Sequence, residues 1–290
     1  MQALHPTASH IGPGRARSVA ITGANGFLGK ALSECFLAKG YAVIPLTRPH
    51  FQLERAGEWQ FEEVPDVVVH AAWDFRPRSI SSARHINVGG TLALKRACEE
   101  IGVKQFVFIS SLAAHEGARS VYGRTKLEAE MVLDPDKDCI VKPGTVIGNG
   151  GLFTRVKRLI ETMPIIPVFF DGRDTLQIIY IDDLCKAIIN AVEGSASGVF
   201  PIAHEKTVSI RDFYRGIANA ANRRVPLLPV PGSLLLPELR LFEMLGLRLP
   251  ISADTLLGLK HGKVFDTYLS SKALFAEPLS FEQSLEKLRA

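Results

Sequence analysis

The sequence predicts an α/β chain folded around a doubly wound parallel sheet, with a smaller, discontinuous C-terminal domain over the carboxyl ends of the strands. Three observations point there. Short runs rich in Val and Ile alternate with longer segments of helical periodicity. The runs are apolar throughout rather than at every second residue, as expected of strands buried on both faces. A glycine-rich turn, Gly23 to Gly29, joins the first run to the first helical segment.

The strand candidates are residues 18–22, 42–46, 66–71, 105–110 and 140–142, and the helical patterns between them cover 27–39, 84–101 and 122–133. Parallel strands need crossovers, so this alternation places helices on both faces of the sheet. After Gly144 the rhythm breaks at Gly148-Asn149-Gly150-Gly151. A helix bearing Arg155, Lys157 and Arg158 follows, then a proline-bounded stretch, then a return to strand and helix over 178–192. A helix near 210–221, a leucine-rich segment at 227–249 expected to be a core helix, and a last helix ending at Leu288 complete the chain. The reading divides the chain into a mobile tail (1–17), a sheet domain (18–150 and 178–198) and the smaller domain (151–177 and 199–290).

A length of 290 residues with 47% hydrophobic and 22% charged residues fits a globular protein and excludes collagen-like and highly charged disordered classes. Lys and Arg exceed Asp and Glu by only 4 and form no basic stripe, which argues against nucleic acid as a partner. Cys35, Cys98, Cys139 and Cys185 lie far apart, suggesting neither a metal knuckle nor a disulfide framework, so no metal is expected and a reduced, cytoplasmic setting is. No apolar run is long enough to span a membrane. A small-molecule substrate is the expected partner.

Thr22-Gly23-Ala24-Asn25-Gly26-Phe27-Leu28-Gly29 is the strongest local signal. A turn free of bulky side chains between strand and helix lets backbone N–H groups and the helix N-terminus approach a pyrophosphate. Gly23 makes the tight turn, Gly26 the close approach and Gly29 the packing of helix on strand. Asn25, Phe27 and Leu28 complete the expected dinucleotide contact. At the end of the second strand, where Asp or Glu would grip the ribose of NAD, the chain reads Leu46-Thr47-Arg48. Arginine offers a permanently charged fork to a 2′-phosphate, so NADP is expected over NAD.

Tyr122 and Lys126 lie four apart, a spacing that stacks them on one helix face. A phenol titrates near pH 10, and a neighbouring ammonium brings it toward the working range for proton transfer. Ser110-Ser111 ends a buried strand where open α/β sheets place ligands, and Ser111 is the candidate donor to a substrate oxygen.

Together these pieces resemble an extended short-chain dehydrogenase/reductase of the NAD-dependent epimerase/dehydratase family. The resemblance covers nearly everything from Val19 to Leu288. It is carried by the Thr22–Gly29 loop, His70-Ala71-Ala72, Asn87-Val88-Gly89-Gly90-Thr91, Ser110-Ser111, Tyr122-Gly123-Arg124-Thr125-Lys126, Lys142-Pro143-Gly144 and Ile178 to Leu184. It implies a Rossmann sheet with a substrate-binding C-terminal domain. It further implies Tyr122 as acid/base, Lys126 as its electrostatic partner and a holder of the cofactor ribose, Ser111 as donor to the substrate oxygen, and Ala71, Ala72 and Pro143 along the cofactor. His70 is expected to be a packed strand-end residue, Asn87 to tie neighbouring segments together, and Asp182 and Asp183 to cap the helix that follows. A homodimer through the helices bearing Asn87 and Tyr122 is what the family suggests.

Two departures bear on substrate. Leu176 stands where many nucleotide-sugar enzymes of the family carry a diphosphate-gripping arginine, and only ten residues separate Ser111 from Tyr122. The expected activity is hydride transfer between nicotinamide and a hydroxyl- or keto-bearing carbon of a sugar or nucleotide-sugar type substrate. The alternatives are an NADPH-dependent ketoreductase on a non-sugar substrate and a non-catalytic dinucleotide-binding module.

Overall fold

The computed structural model describes residues 16–59, 62–76, 79–169, 172–231, 236, 237, 239 and 252–289. Its centre is a six-stranded sheet of β1 (Ser18–Thr22), β2 (Ala42–Leu46), β3 (Val67–His70), β4 (Gln105–Ile109), β5 (Cys139–Pro143) and β10 (Gly198–Ile202). The spatial order is β2-β1-β3-β4-β5-β10 with every neighbouring pair parallel. The chain runs outward from β1 to β2 and then returns to the far side of β1, so strand order reverses between β1 and β3. A doubly wound sheet opens its ligand crevice at that reversal, outside the carboxyl ends of the strands.

Alternating residues of each strand feed two cores. Val19, Ile21, Val67, Val69, Val107 and Val141 face α1 (Phe27–Ala38) and α6 (Ile181–Glu193) through Leu32, Phe36, Leu184 and Ile188. Ala20, Val68, Phe106, Phe108 and Ile140 face Leu94 and Cys98 of α3 (Gly89–Ile101) and Ala129 of α4 (Val121–Glu130). Burial on both sides explains why β1, β3, β4 and β5 read as continuous apolar runs. The helix leading to β4 begins earlier than its pattern suggested, with α2 (Ile80–Ala83) and a π-helical turn at Arg84–Val88 running directly into α3.

The remaining elements pack at one side and at the carboxyl edge. They are β6 (Thr145–Ile147) paired with β9 (Ile178–Tyr180), α5 (Gly151–Thr162), β7 (Ile166–Phe169) with β12 (Leu227–Val230), β8 (Thr175–Leu176) with β11 (Val208–Ser209), α7 (Ile210–Ala220), α8 (Ala253–Lys260), α9 (Tyr268–Ala273) and α10 (Phe281–Lys287). Phe153, Phe213, Tyr214, Leu256, Phe281 and Leu285 continue the first core without a break.

Three boundaries differ from expectation. Arg17 is anchored rather than part of a tail: its guanidinium donates to Val192 O at 3.1 Å and Gln105 Oε1 at 3.3 Å, while residues 1–15 lie outside the described residues. Residues 199–202 complete the edge strand of the main sheet rather than opening the smaller domain. Leu227–Val230 is a strand, because Pro226, Pro229 and Pro231 remove the amide hydrogens and the freedom in φ that a helix needs. Most of the rest of the leucine-rich segment lies outside the described residues.

All four cysteines are free thiols. Among the described residues no helix is long and apolar enough to cross a membrane, and no cluster of His, Cys, Asp and Glu has the makings of a metal site.

Candidate active site

Gly23 leaves β1 with φ +69°, a left-handed conformation that glycine adopts without strain, and its N–H donates to Leu46 O at 3.0 Å. A Cβ on Gly23 would lie 2.9 Å from Ala72 Cα, so the turns after β1 and β3 touch where strand order reverses. A Cβ on Gly29 would lie 2.2 Å from Gly23 O, which lets the first turn of α1 press onto the loop. Asn25 and Gly26 are exposed at the crest, and no side chain caps α1 at Gly26. Uncapped N–H groups at a glycine-lined helix start suit a pyrophosphate, so the residues present fit a dinucleotide. Leu28 packs against the first core. Phe27 seats its ring where Gly148, Gly150 and Gly151 lack side chains: a Cβ on Gly150 would lie 2.2 Å from Phe27 Cδ2.

Arg48 stands just beyond β2, half exposed. Its Nη2 lies 3.4 Å from Asp74 Oδ2 and 3.6 Å from Glu54 Oε1. Arg76 grips the same Asp74, with Nε 2.9 Å and 3.0 Å from its two oxygens. These bonds to Arg76, opposed in part by burial and reinforced by the Arg48 charge, hold the Asp74 carboxyl below its ordinary range. Two guanidiniums facing two carboxylates form a balanced cluster at the position expected for the adenosine ribose.

His70 is fully buried, and its bonding fixes its tautomer. The Thr91 hydroxyl donates to Asn87 O at 2.7 Å, so at 3.1 Å it accepts from His70 Nε2–H. His70 Nδ1 therefore accepts from Thr22 Oγ1 at 2.7 Å, and that oxygen takes the Ala72 N–H at 3.0 Å. Burial, aided by the Lys126 charge, pushes the imidazole down to about 3. His70 is thus a neutral brace for the Ala71-Ala72 turn. Asn87 acts similarly, bonding both N–H and C=O of Asp74 at 2.8 and 2.9 Å.

Ser111 follows β4 and Tyr122 opens α4; the Ser111 hydroxyl, which accepts from Ala113 N at 3.1 Å, is on the phenol's side of that loop and acts on it. Trp73 meets the Tyr122 ring edge-on, with centroids 6.2 Å apart. Phe75, 73% exposed, stacks on it at 5.5 Å. Burial pushes the phenol up, and the Ser111 contact offsets part of the rise.

Lys126 is on the same helix, and its ammonium is bonded elsewhere. Nζ donates to Ile109 O at 2.6 Å and lies 3.8 Å from the centre of the Trp73 ring. Burial drives it well below the ordinary lysine range, with Glu130 pulling the other way. Glu130 is itself engaged: it pairs with Lys142 Nζ at 2.7 Å and takes a short hydrogen bond from Ser110. Lys142 also donates to Ala114 O at 2.7 Å, tying α4 to β5 and to the loop after Ser111. Pro143, buried at the end of β5, accepts from Leu112 N at 2.9 Å and borders that loop from below.

Asp182 and Asp183 lie inside the first turn of α6 rather than at its cap; that helix has no side-chain cap, and Asp183 accepts from Leu279 N at 2.9 Å. Leu176 is nearly buried on β8 opposite Val208. Sequence reasoning missed two contributors. Glu130 continues the Tyr122, Lys126 stripe by one more step of four, a signal that was available. Asp254, which binds the start of α4 from the distant α8, had no local signal at all.

Residues 19–203 match the model of the NAD dependent epimerase/dehydratase family. The UDP-glucose 4-epimerase of Vibrio cholerae is 25% identical over 259 residues, covering 74% of this chain and 79% of that protein. The ceramide reductase of Caulobacter vibrioides is 27% identical over 254 residues, covering 74% and 75%. Among solved structures, dTDP-4-dehydrorhamnose reductase from Bacillus anthracis in complex with NADP superposes with a TM-score of 0.73 at 22% identity, covering 94% of this chain and 99% of that one.

Proposed function

The chain belongs to the NAD-dependent epimerase/dehydratase family, and from that premise we propose that it transfers hydride between a nicotinamide dinucleotide and a hydroxyl- or keto-bearing carbon of a sugar or nucleotide-sugar type substrate. The observation that carries this reading is Tyr122 at the carboxyl edge of the sheet, its ring against Trp73, which follows the Ala72 that meets the glycine loop, with Ser111 at the end of β4 acting on its phenol.

When bound, the dinucleotide supplies or accepts the hydride. Asn25 and the first-turn N–H groups of Phe27 and Leu28 would hold its pyrophosphate, Gly23, Gly26 and Gly29 would let the loop and α1 approach it, Ala71 and Ala72 would line its path, and Pro143 would border the nicotinamide end. Lys126 holds the nearer ribose. Ser111 donates a hydrogen bond to the substrate oxygen on which charge develops. Tyr122 moves the proton at that oxygen. Burial pushes its phenol up, and reduction draws on the protonated form. Oxidation needs the phenolate, and its rate rises with pH.

Arg48 supports NADP as the cofactor: a 2′-phosphate would replace its loose contacts to Asp74 and Glu54 with a charge-assisted pair. A second reading, an NADPH-dependent reductase on a non-sugar substrate, draws support from the apolar wall that Trp73 and Phe75 build against Tyr122 and from Leu176. Homodimerisation through α3 and α4 and a cytoplasmic setting belong to the same proposal.

The test is a panel of UDP-glucose, UDP-galactose, dTDP-4-dehydrorhamnose and long-chain ketones with either dinucleotide, run on the wild type and on Tyr122→Phe. The expected result is turnover of at least one compound, lost by orders of magnitude in the variant while dinucleotide affinity persists. Undiminished turnover in Tyr122→Phe would remove the proposed chemistry.

A further inference from the structure

The start of α4 is held from an unexpected direction. A helix leaves its first N–H groups without intrahelical partners. At α4 the Ser120 hydroxyl takes the Gly123 N–H at 3.0 Å, which leaves those of Val121 and Tyr122. Both go to one carboxylate, 133 and 132 residues away: Asp254 accepts from Val121 N at 2.5 Å through Oδ1 and from Tyr122 N at 3.1 Å through Oδ2. Asp254 lies in the first turn of α8, whose own start is capped separately by Ser252, accepting from Thr255 N at 3.0 Å. The carboxylate therefore stands between two helix N-termini, each of which favours a negative charge. Ala253 and Leu256 are buried beside it, and a Cβ on Gly258 would lie 3.5 Å from Ser120 Oγ, so α8 is seated directly on the turn that begins α4.

We infer that Asp254 is a positioning residue for Tyr122, a carboxylate from the C-terminal segment that fixes the backbone of the proton-transferring tyrosine relative to Ser111. This rests on the proposed role of Tyr122. Two N–H groups of adjacent residues, bonded to the two oxygens of one carboxylate, set the direction as well as the place of the first turn. The phenol extends from that turn with Trp73 edge-on and Phe75 stacked against its ring, and the Ser111 hydroxyl acts on it. Lys126 lies one turn further along α4, with its ammonium on Ile109 O, and His70 behind it is neutral. Asp254 is thus the carboxylate bonded to the backbone of Tyr122 itself, and its charge cancels the positive helix end that would otherwise favour the phenolate. Removing it has two consequences of different kind: Tyr122 loses its fixed position, and its phenol ionises at lower pH.

The experiment compares Asp254→Ala, Asp254→Asn and Ser252→Ala in protein saturated with NADP+. Ser252→Ala weakens the start of α8 without touching the tie, so it reports what mere loosening of that helix does. Tyrosinate absorbance is titrated, with Tyr122→Phe subtracted to isolate one phenol. Both Asp254 variants are expected to lower its midpoint by about half a pH unit, the size given by one charge roughly 10 Å away at an effective dielectric of about 40. Turnover of a panel substrate is expected to fall about ten-fold or more in Asp254→Ala through kcat, as a small misplacement of a reacting group costs. Asp254→Asn, which keeps one acceptor, is expected to lie between that variant and the wild type in kcat. Dinucleotide affinity is expected to be unchanged in all. An Asp254→Ala protein that matches Ser252→Ala in either midpoint or kcat overturns the inference. If Tyr122→Phe is itself fully active, the failure lies in the proposed chemistry instead.

Discussion

Replacing Gly29 by alanine probes the dinucleotide crevice at its tightest point. The added Cβ would stand 2.2 Å from Gly23 O, 2.7 Å from Gly23 C and 2.8 Å from Ala24 Cα. Ordinary carbon–oxygen contact lies near 3.4 Å, so α1 and the loop must part by about 1.2 Å. All the clashing atoms are backbone, and none can rotate away. Overpacking of this kind costs about 1–3 kcal/mol of stability. The larger effect falls on binding, because the same shift carries the N–H groups of the loop away from the pyrophosphate. One charge-assisted hydrogen bond is worth about 1.5–3 kcal/mol, so losing one raises the dinucleotide Kd by about ten- to a hundred-fold. Calorimetric titration with NADP+ and NADPH, alongside urea unfolding, measures both. Gly89→Ala serves as control, since a Cβ there meets only Arg84 O at 3.8 Å. A Gly29→Ala protein that binds dinucleotide within two-fold of the control would refute the placement of the pyrophosphate on this loop.

Other consequences can be checked in the same protein. Arg48→Ala is expected to weaken NADP+ by about ten-fold while changing NAD+ little, by parallel titrations; equal losses would defeat the assignment of Arg48 to a 2′-phosphate. Glu130→Ala strands the Lys142 ammonium in a buried position and is expected to cost about 3–5 kcal/mol in urea unfolding, whereas a loss under 1 kcal/mol would show the pair to be dispensable. At Asp66, burial works against the charge, but bonds from Lys104 and Ser18 outweigh it and hold the carboxyl down at about 2. Because the folded value is below the unfolded one, this stabilisation is present above about pH 4 and lost as pH falls toward 2. On the order of 1–2 kcal/mol is at stake, and Asp66→Asn is expected to flatten that part of the acid unfolding curve.

Much of the sheet was legible because burial on both faces writes itself as uninterrupted Val and Ile. The strand at Ser18–Thr22 begins and ends where the pattern does, and so does Ala42–Leu46, an edge strand that is only partly buried. The glycine loop was legible for a related reason: close backbone approach leaves no room for Cβ, and the sequence records that directly at Gly23 and Gly29. Where the reading went astray, a tertiary contact decided. Arg17 looked like tail until Val192 and Gln105 supplied acceptors. Spacing placed Lys126 under Tyr122 correctly but said nothing of Ile109 O and the Trp73 face, which take its ammonium. The tie from Asp254 to Tyr122 crosses 132 residues, and no periodicity reaches that far.

The most direct measurement is a crystal structure of the protein with NADP+. The pyrophosphate is expected over Gly23 to Gly26, the adenosine 2′-phosphate beside Arg48, and the nicotinamide ring facing the Tyr122 phenol and the Ser111 hydroxyl. A dinucleotide bound elsewhere, or a Tyr122 hydroxyl turned away from the nicotinamide, would contradict the account.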